Sequence, residues 1–164
     1  MNLFRNLAIL TLFICLVPMT SFAVQPGDQL PYFSAENMEG NTYDLSRYIG
    51  KKPIMLVFWA SWCPNCITEV PKVNKLVAQF QKKGMEFIAI NIGVNDSKKR
   101  AASFIKKNKI NYPVIFDTKQ AITNKYKVIG VPTIIVADSK GVVQFAGHGT
   151  PEITDSDFKK LRSR

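Results

Sequence analysis

Histidine, cysteine and acidic residues are all scarce in this 164-residue chain, which has one His, three Cys and 12 Asp plus Glu against 22 Lys plus Arg. A disulfide-dense miniature fold needs more cysteines than this. Nine glycines and nine prolines are too few for a collagen or a low-complexity tail, and no internal repeat or second domain is visible. The formal charge of +10 would suit nucleic acid. No nucleic-acid motif or aromatic platform accompanies the basic clusters Lys98-Lys99-Arg100 and Lys106-Lys107-Asn108-Lys109, however. They read as a solvated face favouring acidic partners or a membrane surface. What remains, 46% hydrophobic and 21% charged, is the composition of one domain able to bury its own core.

Long apolar runs are absent except at the start. Arg5 precedes an apolar stretch over residues 7–17, broken only by Thr11, and Ser21-Phe22-Ala23 offers the small residues of a cleavage site. Residues 1–23 therefore read as a signal peptide, the rival being an uncleaved anchor interrupted by Pro18, and residues 24–164 as the domain. Cys15 leaves with the signal. An exported chain then keeps two cysteines, Cys63 and Cys66, in a compartment where disulfides form.

Strands are expected over 32–35, 53–59, 85–92, 114–116, 133–136 and 142–146, and helices over 63–83, 97–107, 120–126 and 153–161. The run 53–59 is apolar throughout and fits a strand buried on both faces. Asn37-Met38-Glu39-Gly40-Asn41 reads as a turn, with 43–48 leading on from it, and the alternation predicts an α/β fold with a mixed sheet covered on both faces.

Trp59-Ala60-Ser61-Trp62-Cys63-Pro64-Asn65-Cys66 joins that strand to a helix through Cys-x-x-Cys. Unpaired N–H groups and the dipole at a helix start stabilise a thiolate, which is the nucleophilic form of cysteine. Pro64 suits the first helical turn. Cys66, one turn on, is placed to attack a mixed disulfide formed at Cys63. A loop this small stabilises a fold little, so the pair is chemistry more than a staple. Two cysteines and the distant His148 cannot make a four-ligand zinc site, and Ile67 stands where haem attachment needs His. His148, between two glycines, reads as a solvated loop residue, and Trp59 as core.

The run from Phe58 to Cys66 is followed by Glu69 and Pro71, then by Gly130-Val131-Pro132-Thr133 about 65 residues beyond the cysteines. Together with the leader Gly27-Asp28 through Tyr32-Phe33, these motifs resemble the thioredoxin superfamily, and within it the exported TlpA/ResA-like thiol–disulfide oxidoreductases, over nearly the whole mature chain. The resemblance implies a thioredoxin-like fold, Cys63 as attacking thiol, Cys66 as resolving thiol and Pro132 as a cis-proline facing them. Trp62, Pro64, Val131, Pro132 and Thr133 would form the substrate-facing surface. Thioredoxins proper carry an Asp where Val57 stands. TlpA/ResA-like proteins have a Glu in the position of Glu69, which could hold a raised pKa and exchange a proton with Cys66. Branches dedicated to cytochrome c maturation often have Glu where Thr133 stands, and peroxiredoxins need a Pro-x-x-x-Thr-x-x-Cys motif that is missing here.

The expected function is reduction of disulfides in exported proteins of the periplasm or envelope, apocytochromes among them. The pair would work without cofactor or metal, act on protein thiols and disulfides, and draw on a membrane electron donor, as a monomer. A disulfide-introducing oxidant and a non-catalytic docking protein remain the alternatives.

Overall fold

An unbroken apolar run cannot face water on either side, and the structure buries every residue of Ile54–Trp59 at the centre of a sheet. The computed structural model describes residues 23–163, so the expected signal lies outside the described residues except for Ala23. No helix among them is long and apolar enough to cross a membrane. In chain order the elements are β1 (Ser34–Glu36), β2 (Thr42–Asp44), a short 3-10 turn (Leu45–Arg47), β3 (Ile54–Trp59), α1 (Pro64–Phe80), β4 (Glu86–Asn91), α2 (Lys98–Lys107), β5 (Val114–Phe116), α3 (Ala121–Lys125), β6 (Thr133–Ala137), β7 (Val143–Gly147) and α4 (Asp155–Ser163).

The main sheet runs β5-β4-β3-β6-β7. β3 pairs parallel with β4 and antiparallel with β6, so the sheet is mixed, as expected. Side chains alternate across β3. Trp59 stacks on Phe104 of α2 at 4.6 Å, and Val57 and Trp59 share a cavity lining with residues of α1. On the opposite face Phe58 meets Tyr126, just after α3, at 5.4 Å. Helices therefore cover both faces.

The largest difference from the sequence reading is at the start. β1 and β2 form a separate antiparallel hairpin, with Ala35 opposite Tyr43, where the sequence suggested one edge strand followed by a connection. Three-residue strands are too short to display an alternation. The leader is also tied down: Gly27 N–H donates to Val143 O at 2.8 Å and Leu30 N–H to Gly141 O at 2.9 Å. α1 continues through Pro71. α4 begins two residues later than expected, where Asp157 N–H donates to Thr154 Oγ1 and Thr154 Oγ1 donates back to the Asp157 carboxylate, a reciprocal cap.

α4 is held to α1 by Phe158 stacked on the fully buried Phe80, with ring centroids 4.9 Å apart. Phe80→Ala removes that ring from a site with no solvent to refill it. It should destabilise the protein by about 3–5 kcal/mol, read as a lower urea midpoint at unchanged m-value.

Candidate functional site

β3 delivers the chain to a tight turn at Ala60–Trp62 that one buried carboxylate holds in place. Asp96 accepts from Ser61 N–H and Ser61 Oγ–H, both at 2.6 Å, from Asn91 Nδ2 at 2.8 Å and from Ser97 N–H at 2.8 Å. Its side chain is wholly shielded from solvent, with Arg100 Nε 3.4 Å away. Burial pushes this carboxyl up, but the donors from Asn91, Ser61 and Ser97 outweigh it and its pKa is lowered. Gly93 makes the loop possible: at φ +70 it passes so close to Asp117 that a Cβ would sit 2.5 Å from the Asp117 carbonyl oxygen.

The turn leaves Cys63 as the N-cap of α1, with extended backbone, and Pro64 as the first helical residue. Cys63 and Cys66 form a disulfide with Cα atoms 5.3 Å apart. Cys66 N–H points at Cys63 Sγ from 3.1 Å, so the sulfur sits where the helix start concentrates positive potential. Both cysteines are buried, and Cys63 Sγ lies 3.5 Å from Val131 O.

That contact brings the loop at 130–133 to the disulfide. The Val131–Pro132 bond is cis, as the resemblance implied. Pro132 is buried and lines a cavity of about 10 Å³ with Cys66 and Glu69. Val131 is half-buried, and Trp62 is 46% exposed with its indole N–H donating to Val94 O at 2.7 Å. Pro64 is exposed beside them. Thr133 is only partly with this group: its hydroxyl donates to Gly130 O at 2.7 Å, and it lines a different cavity with Ile129 and His148.

His148 lies in an exposed bend after β7, as the sequence suggested, but it is not free of contacts. Its Nδ1 lies 2.9 Å from Pro132 O. A carbonyl only accepts, so Nδ1 carries the proton, and the imidazole braces the proline loop from behind. Glu69 is buried and not at the surface. One oxygen pairs with Lys72 at 2.8 Å, and the other accepts from Thr150 N–H at 2.7 Å. Burial pushes its carboxyl up, but Lys72 and Thr150 together prevail and the pKa is lowered, opposite to the raised value expected from position alone. Trp59 lines the same cavity with its indole N–H unpartnered among the described residues. No three His, Cys, Asp or Glu side chains gather as a metal site among those residues.

The model of the AhpC/TSA family matches residues 26–146, from the leader through most of β7. The chain belongs to the AhpC/TSA family. Within its thioredoxin-like membership, the chain is similar to the thiol-disulfide oxidoreductase ResA of Geobacillus thermodenitrificans, 33% identical over 138 residues that cover 84% of this chain and 76% of that one. ResA of Bacillus subtilis is 30% identical over 157 residues, covering 91% and 86%. Among solved structures, a Chlorobium tepidum protein described as thiol:disulfide interchange protein DsbE superposes with a TM-score of 0.69 at 28% identity, covering 85% of this chain and 94% of that one. This AhpC/TSA-family chain is thus a thiol–disulfide oxidoreductase of the ResA/DsbE type whose redox element is a cysteine pair.

The residues missed by sequence reasoning are Asp96, Asn91, Thr150 and His148, all acting across loops with no local signal. The lowered pKa of Asp96 has a consequence for stability. A group lowered on folding contributes fully above its ordinary value of 3.8, and loses that contribution as pH falls from there through the lower folded value. Asp96→Asn should cost about 2–3 kcal/mol at pH 7 through lost hydrogen bonds to a charge. Urea denaturation at pH 7 and below pH 3.8 should show the gap between the two proteins narrowing in acid.

Proposed function

We propose that the protein is an envelope thiol–disulfide reductase that keeps the cysteines of exported proteins reduced, apocytochromes among them, and is recharged by a membrane electron donor. The observation that carries the reading is Cys63 Sγ at the start of α1, facing Cys66 N–H on one side and Val131 O on the other. The charged and apolar pattern of residues 1–23 supports export.

In the reduced protein the Cys63 thiolate attacks one sulfur of a substrate disulfide. A Cys63–substrate bond forms, and the other substrate sulfur leaves as a thiolate that takes a proton from water. Cys66 then gives its proton to water and attacks Cys63 Sγ, and the second substrate sulfur leaves as a thiolate that is protonated in turn. Two electrons pass to the substrate, and the protein retains the Cys63–Cys66 disulfide. Trp62, Pro64 and Val131 frame the approach, with buried Pro132 behind them, while Thr133 turns its hydroxyl to Gly130 O.

Glu69 fits this cycle as a carboxylate and not as a stored acid. It shares a small cavity lining with Cys66, one helical turn away, and Lys72 and Thr150 favour its ionised form. A nearby negative charge disfavours a second one, so an ionised Glu69 opposes ionisation of the Cys66 thiol. Glu69→Gln should therefore lower the Cys66 pKa by about one unit, measured as the pH dependence of alkylation in a Cys63→Ser background. An unchanged or raised value removes this role.

The reduction potential of the pair is the first test of direction. A value near about −270 mV fits a reductant and one near about −120 mV an oxidant. Cys66→Ser should accumulate mixed disulfides visible on non-reducing gels, whereas Cys63→Ser should not. Absence of adducts from Cys66→Ser contradicts the mechanism.

A further inference from the structure

A groove of about 570 Å³ opens beside the redox pair, lined by Ser61, Ile67, Lys99, Arg100, Phe104 and Lys107 among others. It is continuous with the site. Ser61 stands two residues before Cys63, Ile67 directly follows Cys66 and is 49% exposed, and Trp62 is pinned to the loop entering α2.

The charge on its α2 wall is unopposed. From Lys98 to Lys109 the chain carries six cations and no acid. Arg100 is engaged by Asp96 and by the Asn95 carbonyl, but Lys99 and Lys107 are exposed and make no ion pair among the described residues. Asp96 itself is shielded and saturated with donors. Three of the cations occupy the first turn of α2, which contains no acid, although the helix dipole disfavours positive charge there. Helix stability does not account for that placement, whereas an outward-facing field does.

We propose that this groove docks an acidic stretch flanking the reactive cysteine of a protein substrate. Acidic side chains pair with Lys99 and Lys107 while an apolar neighbour rests on the exposed Ile67, which presents the adjacent disulfide to Cys63. The proposal rests on the oxidoreductase reading and assigns the substrate class of the same site. The redox step is the two-electron exchange described above.

The test uses the reduced full chain and three peptides sharing one neutral disulfide loop, flanked by four Glu, four Gln or four Lys. The Glu-flanked peptide should be reduced about tenfold faster than the Gln-flanked one at low salt, with the ratio falling towards one as salt rises. The exposed double substitution Lys99→Glu/Lys107→Glu should invert the order in favour of the Lys-flanked peptide, which general damage to the protein would not do. Equal rates for Glu and Gln flanks overturn the proposal. If no peptide is reduced, the oxidoreductase reading itself fails. Salt-sensitive binding to phosphatidylglycerol vesicles, lost in the double variant and without any peptide preference, overturns the proposal in favour of a lipid surface.

Discussion

The chemistry depends on where β3 stops. Its residues are all buried and hydrogen-bonded to strands on both sides, so its direction and depth are fixed by the core. The chain must leave that core at Trp59 and begin a helix at Pro64, and only four residues connect the two. A cysteine placed last in that connection becomes the helix cap whatever its own preferences, since Ser, Asp and Asn are the usual caps. Its sulfur accepts the Cys66 amide as a serine oxygen would, so the positive potential of the helix end falls on a cysteine sulfur. Reactivity here is a consequence of packing.

This explains which parts of the protein were legible in its sequence. The β3 run, the helix with Cys63 at its start, β5 and the late hairpin all declare themselves through local periodicity or turn chemistry, and observed bounds differ from expected ones by a few residues at most. The early hairpin does not, because Ala35 and Tyr43 pair over too few residues to leave a pattern. Glu69 shows the same division inside the site. Its spacing from Cys66 is readable from helix geometry, but its ionisation depends on Thr150, 81 residues away, and burial alone would have predicted the opposite direction. His148 sits between two glycines and looks like loop, yet its partner is Pro132 across the β6–β7 hairpin.

Charge is sorted in a way the net value conceals. Three acids serve as inward acceptors: Asp96 for the Ser61 turn, Asp117 for Thr123 N–H and hydroxyl, and Asp138 for the amides of Lys140 and Val142. Each of those carboxylates stabilises a loop that could not otherwise satisfy its backbone. Lysines remain outside, where hydration is cheap and their stems cover apolar surface. Positive charge is dense along α2 and its exit, where residues 98–109 carry six cations and no acid.

A protein that cycles between disulfide and dithiol must keep its site when the sulfur–sulfur bond opens. That bond closes a loop of only a few residues and restrains the unfolded chain little. The segments meeting at the site are instead joined by side-chain-to-backbone hydrogen bonds, each linking parts remote in sequence: Asp96 to Ser61, Trp62 to Val94, Glu69 to Thr150 and His148 to Pro132. None of the four includes a sulfur atom, so none is lost on reduction. The scaffold thus separates two tasks that a structural disulfide would combine. The cysteines are free to change partners because the turn, the helix start and the proline loop are held by other atoms.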